Sequence, residues 1–77
     1  MGKIKYKYFE KYKTLGLNIA YFRKQQGMTQ EVLAERIGVE RTRISRTEAA
    51  AVGTSLDTVF AIAEALEVPV SKLFEER

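Results

Sequence analysis

The side chains with the greatest chemical reach cluster between residues 41 and 46, where Arg41, Arg43 and Arg46 are interleaved with Thr42 and Ser45. A guanidinium is permanently charged and offers its N–H donors in a rigid fork, so it pairs with phosphate oxygens and with the two acceptors on the major-groove edge of guanine. Several of them close together suit recognition of a polyanion and give no means of breaking a bond. The chain has no cysteine and no histidine. That removes thiolate chemistry, a zinc site built on anything but carboxylates, and any Ser-His-Asp arrangement. A serine or threonine without a neighbouring base has no route to activation. No catalytic residue, metal ligand or cofactor site is assigned, and the chain is not expected to be an enzyme.

Such side chains need a rigid element to present them, and residues 29–48 read as two short helices joined by a tight turn. Thr29 is a suitable N-cap, because its hydroxyl accepts a backbone N–H of the first turn, and Glu31 complements the positive end of the helix dipole. Leu33, Ala34 and Ile37 recur at helical spacing and define one buried face. Ala34 is small where two helices cross. Gly38 takes the positive φ that ends the first helix and turns the chain into the second. Val39 and Ile44 resume the apolar face, leaving the cationic positions pointing outward.

At these residues the chain resembles the phage repressor and Cro class of helix-turn-helix DNA-binding domains (lambda repressor-like, XRE-type). Gln30, Ala34, Gly38 and Ile44 fall where that pattern has them, and the likeness runs from about Leu15 to Phe74. The resemblance implies an all-α, five-helix domain whose second motif helix, at about residues 40–50, lies in the major groove of double-stranded DNA. By position it assigns base contacts to Arg41, Thr42, Ser45 and Arg46, and phosphate contacts to Thr29, Gln30 and Arg43. It also implies an ion pair between Arg23, on the first helix, and Glu48, at the end of the motif.

Two stretches depart from that pattern. Thr47 stands where a large apolar residue is usual. After Glu48, Ala49, Ala50, Ala51 and Val52 replace a polar, often basic loop. Three alanines favour continued helix, so the recognition helix is expected to run on to about Ala51. Gly53 then breaks it, and Thr54 with Asp57 forms a capping signal for a fourth helix whose apolar face is Leu56, Val59, Ile62, Ala63 and Leu66. Pro69 forces a break before a last short helix, where Leu73 and Phe74 are expected to close the core and Glu75 to Arg77 to fray.

On the N-terminal side, Tyr8, Tyr12, Leu15, Ile19 and Phe22 make one stripe on a first helix that Gly27 terminates. Leu17 and Tyr21 form a second stripe nearly opposite, which one core cannot bury together with the first. The chain therefore divides into a basic extension, residues 1–7, and a domain, residues 8–77. The alternation in KIKYKY fits a strand-like segment or a flexible arm. Ile4 and Tyr6 are candidates to cover Leu17 and Tyr21, and Lys3, Lys5 and Lys7 to stay in solvent or meet phosphates.

The formal charge is +3 over 77 residues, and its excess lies in the first thirteen, where Lys3, Lys5, Lys7, Lys11 and Lys13 face only Glu10. Seventy-seven residues suffice for one small core. Nothing resembles a signal peptide or a long apolar span, so a cytoplasmic, nucleoid-associated protein is expected. The functional expectation is a sequence-specific transcriptional regulator, a repressor, acting as a homodimer on a pseudo-palindromic operator, with Val70 and Phe74 in the dimer surface. The alternative is an antitoxin-like module in which a protein partner covers an apolar surface and DNA binding is secondary; the apolar segment after Glu48 favours it.

Overall fold

In the computed structural model, which describes residues 7–76, Lys7 and Tyr8 form a turn and the first helix, α1, runs Phe9–Gln25. Tyr8 therefore precedes the helix and is 56 % exposed, so the stripe enters the core only at Leu15 and Ile19, with Tyr12 and Phe22 half-buried at its edge. Residues 1–6, with the expectations placed on Lys3, Ile4, Lys5 and Tyr6, lie outside the described residues, as does Arg77.

Helices α2, Gln30–Ile37, and α3, Arg41–Glu48, follow the local signals. The Thr29 hydroxyl accepts from the Val32 amide at 3.0 Å, and Gly38 sits at φ 77°. Helices this short are marginal alone. They stand because Leu33, Ala34 and Ile44 are buried against α1 and α4, and full burial of a side chain of this size contributes roughly 1.5–3 kcal/mol.

Helix α3 stops at Glu48 and does not run on to Ala51. Ala50 adopts φ 57°, the Ala51 amide donates back to the Arg46 carbonyl at 2.9 Å, and the Ala50 amide to that of Thr47 at 3.2 Å. The cause is tertiary. Gly16 brings α1 so close that a Cβ there would lie 2.4 Å from the Glu48 carbonyl oxygen, and Ala50, two residues on, is buried at 2 % exposure. Thr47 fits where a larger residue is usual because its hydroxyl, though buried, donates to the Arg43 carbonyl at 2.8 Å.

Helix α4 spans Leu56–Leu66. Its cap is Ser55, whose hydroxyl oxygen accepts from the Thr58 amide at 3.2 Å, and not Thr54, whose Oγ1 is buried without a hydrogen-bond partner. Of the expected apolar face, Val59, Ile62, Ala63 and Leu66 are buried, but Leu56, in the first turn, is 62 % exposed at a groove that it lines together with Tyr12 and Leu15 of α1. The fifth helix is a 3-10 helix, Val70–Phe74, after Pro69. Leu73 closes the core, whereas Phe74 points outward. Glu75 is not frayed: the buried Asn18 amide donates to the carbonyls of Leu73 at 2.9 Å and Glu75 at 2.8 Å, fastening the C-terminal stretch to α1. The fold is all-helical among the described residues, with four α-helices and this 3-10 turn.

Candidate nucleic-acid interface

The outward face of α3 is positive because the one carboxylate on the helix is engaged inside the molecule. Arg23, 7 % exposed, donates from its Nε to Glu48 Oε2 at 2.6 Å and from a terminal nitrogen to Glu48 Oε1 at 3.0 Å, and its other terminal nitrogen donates to the Met28 carbonyl at 2.8 Å. Gln30 adds a third bond to the same carboxylate, Nε2 to Oε1 at 2.9 Å. Glu48 is therefore neutralised and fixed from α1 and α2 together, and the end of α3 is clamped to both.

Arg41, Thr42, Arg43 and Arg46 are exposed on α3, and Ser45 is half-buried. The structure brings Thr42, Arg43 and Arg46 together around a shallow depression of about 460 Å³ that is also lined by Gly38, Val39 and Glu40. Glu40 is the carboxylate that faces these arginines, and as the residue preceding α3 it makes no side-chain cap. Arg41 lies apart from this group and leans toward α2, its guanidinium 3.4 Å from Gln30 Oε1, a weak bond. Gln30 thus holds Glu48 with its nitrogen and meets Arg41 with its oxygen. Thr29 is exposed, with its hydroxyl oxygen already accepting from Val32.

Sequence reasoning missed three residues that position this face. Gly16 permits the α1–α3 approach, and its signal was a lone glycine inside a helical pattern. Asn18, a poor helix residue beside the apolar stripe, ties down the C-terminal stretch. Gln26 donates to the Leu66 carbonyl and so links the ends of α1 and α4; nothing in its surroundings in the sequence marks it.

No group of acidic, histidine or cysteine residues among the described residues suits a metal ion, and no helix among them is long and apolar enough to cross a membrane.

Comparison with known proteins gives a match of residues 19–73 to the profile of a helix-turn-helix family. No curated protein is significantly similar. Among solved structures, the chain is similar to the restriction-modification controller protein C.AhdI from Aeromonas hydrophila, with 27 % identity over 82 % of this chain and 96 % of that one and a TM-score of 0.79. It is also similar to the hypothetical transcription factor NHTF from Neisseria, with 26 % identity over 97 % and 87 % and a TM-score of 0.82. The clp gene regulator ClgR from C. glutamicum aligns at 26 % identity over 80 % of each chain, with a TM-score of 0.77.

Proposed function

Because the chain belongs to the phage repressor and Cro-like helix-turn-helix family and is a DNA-binding regulator of transcription, we propose that it is a homodimeric repressor reading a pseudo-palindromic operator through α3. The observation that carries this reading is the electrostatics of that helix. With Glu48 neutralised by Arg23, the helix offers Arg41, Arg43 and Arg46 outward, and Glu40 is the carboxylate lining the depression beside Arg43 and Arg46. In this proposal Arg46 and Thr42, which flank the depression, meet base edges, with Arg41 and Ser45 completing the readout. Arg43, Gln30 and Thr29 meet phosphates and set the register of the helix on the duplex.

One recognition helix covers one half-site, so two copies are needed, with their α3 helices about 34–36 Å apart. Leu56 and Phe60 on α4 and Phe74 on the 3-10 helix are 62 %, 51 % and 48 % exposed. Leu56 and Phe74 line one groove, and in this proposal a two-fold pairing through it and Phe60 covers these side chains. Val70 is half-buried against the core. Of the apolar stretch after Glu48, Ala50 is buried while Ala49, Ala51 and Val52 are exposed.

Selection of bound sequences from random DNA at defined salt tests the proposal: a symmetric consensus is expected, and no enrichment would overturn it. On the best site, Arg46→Ala is expected to weaken binding by about 1–3 kcal/mol and to relax preference at one base position. Equal weakening on every sequence would make Arg46 a phosphate contact instead. Phe60→Glu is expected to lower both the dimer fraction and operator affinity, and an unchanged dimer would move the interface elsewhere.

A further inference from the structure

Glu40 stands at the N-cap position of α3, yet its side chain serves nothing in the fold. It makes no cap, and among the described residues it takes part in no side-chain hydrogen bond or ion pair. Short acceptors such as Asp, Asn, Ser and Thr fold back onto the first amides of a helix from this position. The longer glutamate does not, and its carboxylate stays exposed in the depression that Thr42, Arg43 and Arg46 also line. The backbone beneath it is fixed. Glu40 follows the Gly38 turn with φ −81° and ψ 151°, and its carbonyl accepts from the Arg43 amide at 2.9 Å.

On a surface that meets a polyanion, such a carboxylate is either a cost or a reader. Phosphate oxygens repel it, and so do the major-groove acceptors of guanine and thymine. The donors within the groove are the amino groups of cytosine and adenine. What lies beside the amino group separates these two. Adenine sets its N7 acceptor there, where it repels the second carboxylate oxygen, whereas cytosine sets only a C–H.

We propose that Glu40 is a specificity-determining residue that accepts from the N4 amino group of a cytosine at one position of each half-site, an inference that rests on α3 being the recognition helix. Position supports it. The N-terminal residues of a recognition helix are the ones that contact base edges, and Glu40 directly precedes the first residue of α3, Arg41. Charge supports it too. Arg43 and Arg46 line the same depression and offset the cost of taking the carboxylate out of water.

Selection of bound sequences from random DNA, made in parallel with the unaltered chain, Glu40→Ala and Glu40→Gln, tests the inference. The unaltered chain is expected to enrich a symmetric consensus with a fixed cytosine in each half. Its affinity ratio for cytosine over the other bases at that position should be on the order of tenfold to a hundredfold. Glu40→Ala should bring that ratio to about twofold or less and leave the other positions unchanged. Because the ratio compares bases within one variant, the general gain in affinity from removing a negative charge cancels. Glu40→Gln should move the preference to adenine, since a carboxamide supplies a donor for N7 together with an acceptor for the N6 amino group. N4-methylcytosine at that position replaces the hydrogen that faces the groove. It should weaken binding by the unaltered chain about tenfold and leave Glu40→Ala within about twofold.

A symmetric consensus whose every position survives Glu40→Ala would overturn this inference alone. So would tighter binding of Glu40→Ala to every sequence by one common factor, which would make the carboxylate a repulsive element against phosphates. No enrichment by the unaltered chain would overturn the operator reading, and this inference with it.

Discussion

The turn leading into α3 and the turn leading out of it close the backbone in the same way, with different residues at the left-handed position. At the entry Gly38 takes φ 77° and the Val39 amide returns to the Ala34 carbonyl at 3.0 Å; at the exit Ala50 takes φ 57° and the Ala51 amide returns to Arg46 at 2.9 Å. A Cβ at Gly38 would meet nothing within 4 Å, so the entry turn is determined by the chain's own local chemistry. The exit turn is not. An alanine there disfavours the left-handed region by roughly 1–2 kcal/mol, and it is held by the Gly16 crossing, its own burial and the Arg23–Glu48 clamp. The recognition helix is thus locally specified where its outward face begins and held by tertiary contacts where it ends.

If the clamp holds the exit, breaking it should produce the largest effect. Glu48→Ala strands the Arg23 guanidinium in a site where the two side chains are only 9 % and 8 % exposed. It also removes the partner of Gln30 Nε2. Loss of one member of a buried pair costs about 3–5 kcal/mol, against under about 1 for a surface pair. The midpoint of urea unfolding measures this, and a small shift would remove the clamp from the explanation. Next in size is Gly16→Ala. The added methyl meets backbone carbonyls of Thr47 and Glu48 that cannot swing away, so a loss near the upper end of the roughly 1–3 kcal/mol typical of overpacking is expected. Thermal unfolding of the variant, compared with Ala20→Gly elsewhere on α1, separates this clash from a change in helix propensity.

The same division explains how much could be read in advance. Caps and turns whose chemistry is local, at Thr29, Gly27 and Gly38, were legible, as were the faces Leu15–Ile19, Leu33–Ala34 and Val59–Leu66. The exposure of Arg41, Thr42, Arg43 and Arg46 on α3 was legible too, since it follows from helical period once Ile44 is known to face inward, whereas Ser45, expected on the same outward faces, is half-buried. What failed depends on contacts distant in sequence. The end of α3 depends on Gly16, the order of Glu75 depends on Asn18, and the left-handed Ala50 and Glu67 carry no local mark. Ser55 rather than Thr54 caps α4: the Ser55 hydroxyl meets the Thr58 amide while Thr54 Oγ1 is buried away from the free amides of the first turn. In the interface, periodicity could not foresee that Gln30 would bridge Glu48 and Arg41, nor that Arg41 would stand apart from Thr42, Arg43 and Arg46.

Two exchanges at the left-handed positions sharpen the contrast further. Gly38→Ala adds a methyl that touches nothing, so backbone strain of about 1–2 kcal/mol is offset only by the roughly 0.5–1 kcal/mol of glycine freedom that the unfolded chain loses, and a net loss of about 1 kcal/mol or less is expected in urea unfolding. Ala50→Gly is the reverse exchange and should have the smallest effect of all. It relieves strain of the same size, but it also removes a methyl at 2 % exposure, whose burial contributes about 0.8 kcal/mol. It further gives the unfolded chain the extra freedom of glycine, roughly 0.5–1 kcal/mol. These terms offset one another, and a net change within about 0.5 kcal/mol is expected from the difference between them. If Ala50→Gly instead stabilises the fold by more than about 1 kcal/mol, the methyl contributes little and the exit turn carries its full strain. If it destabilises by that much, the packed methyl holds the end of α3 more firmly than backbone preference opposes it. Either result assigns the exit turn to one term, and the predicted near-balance assigns it to both.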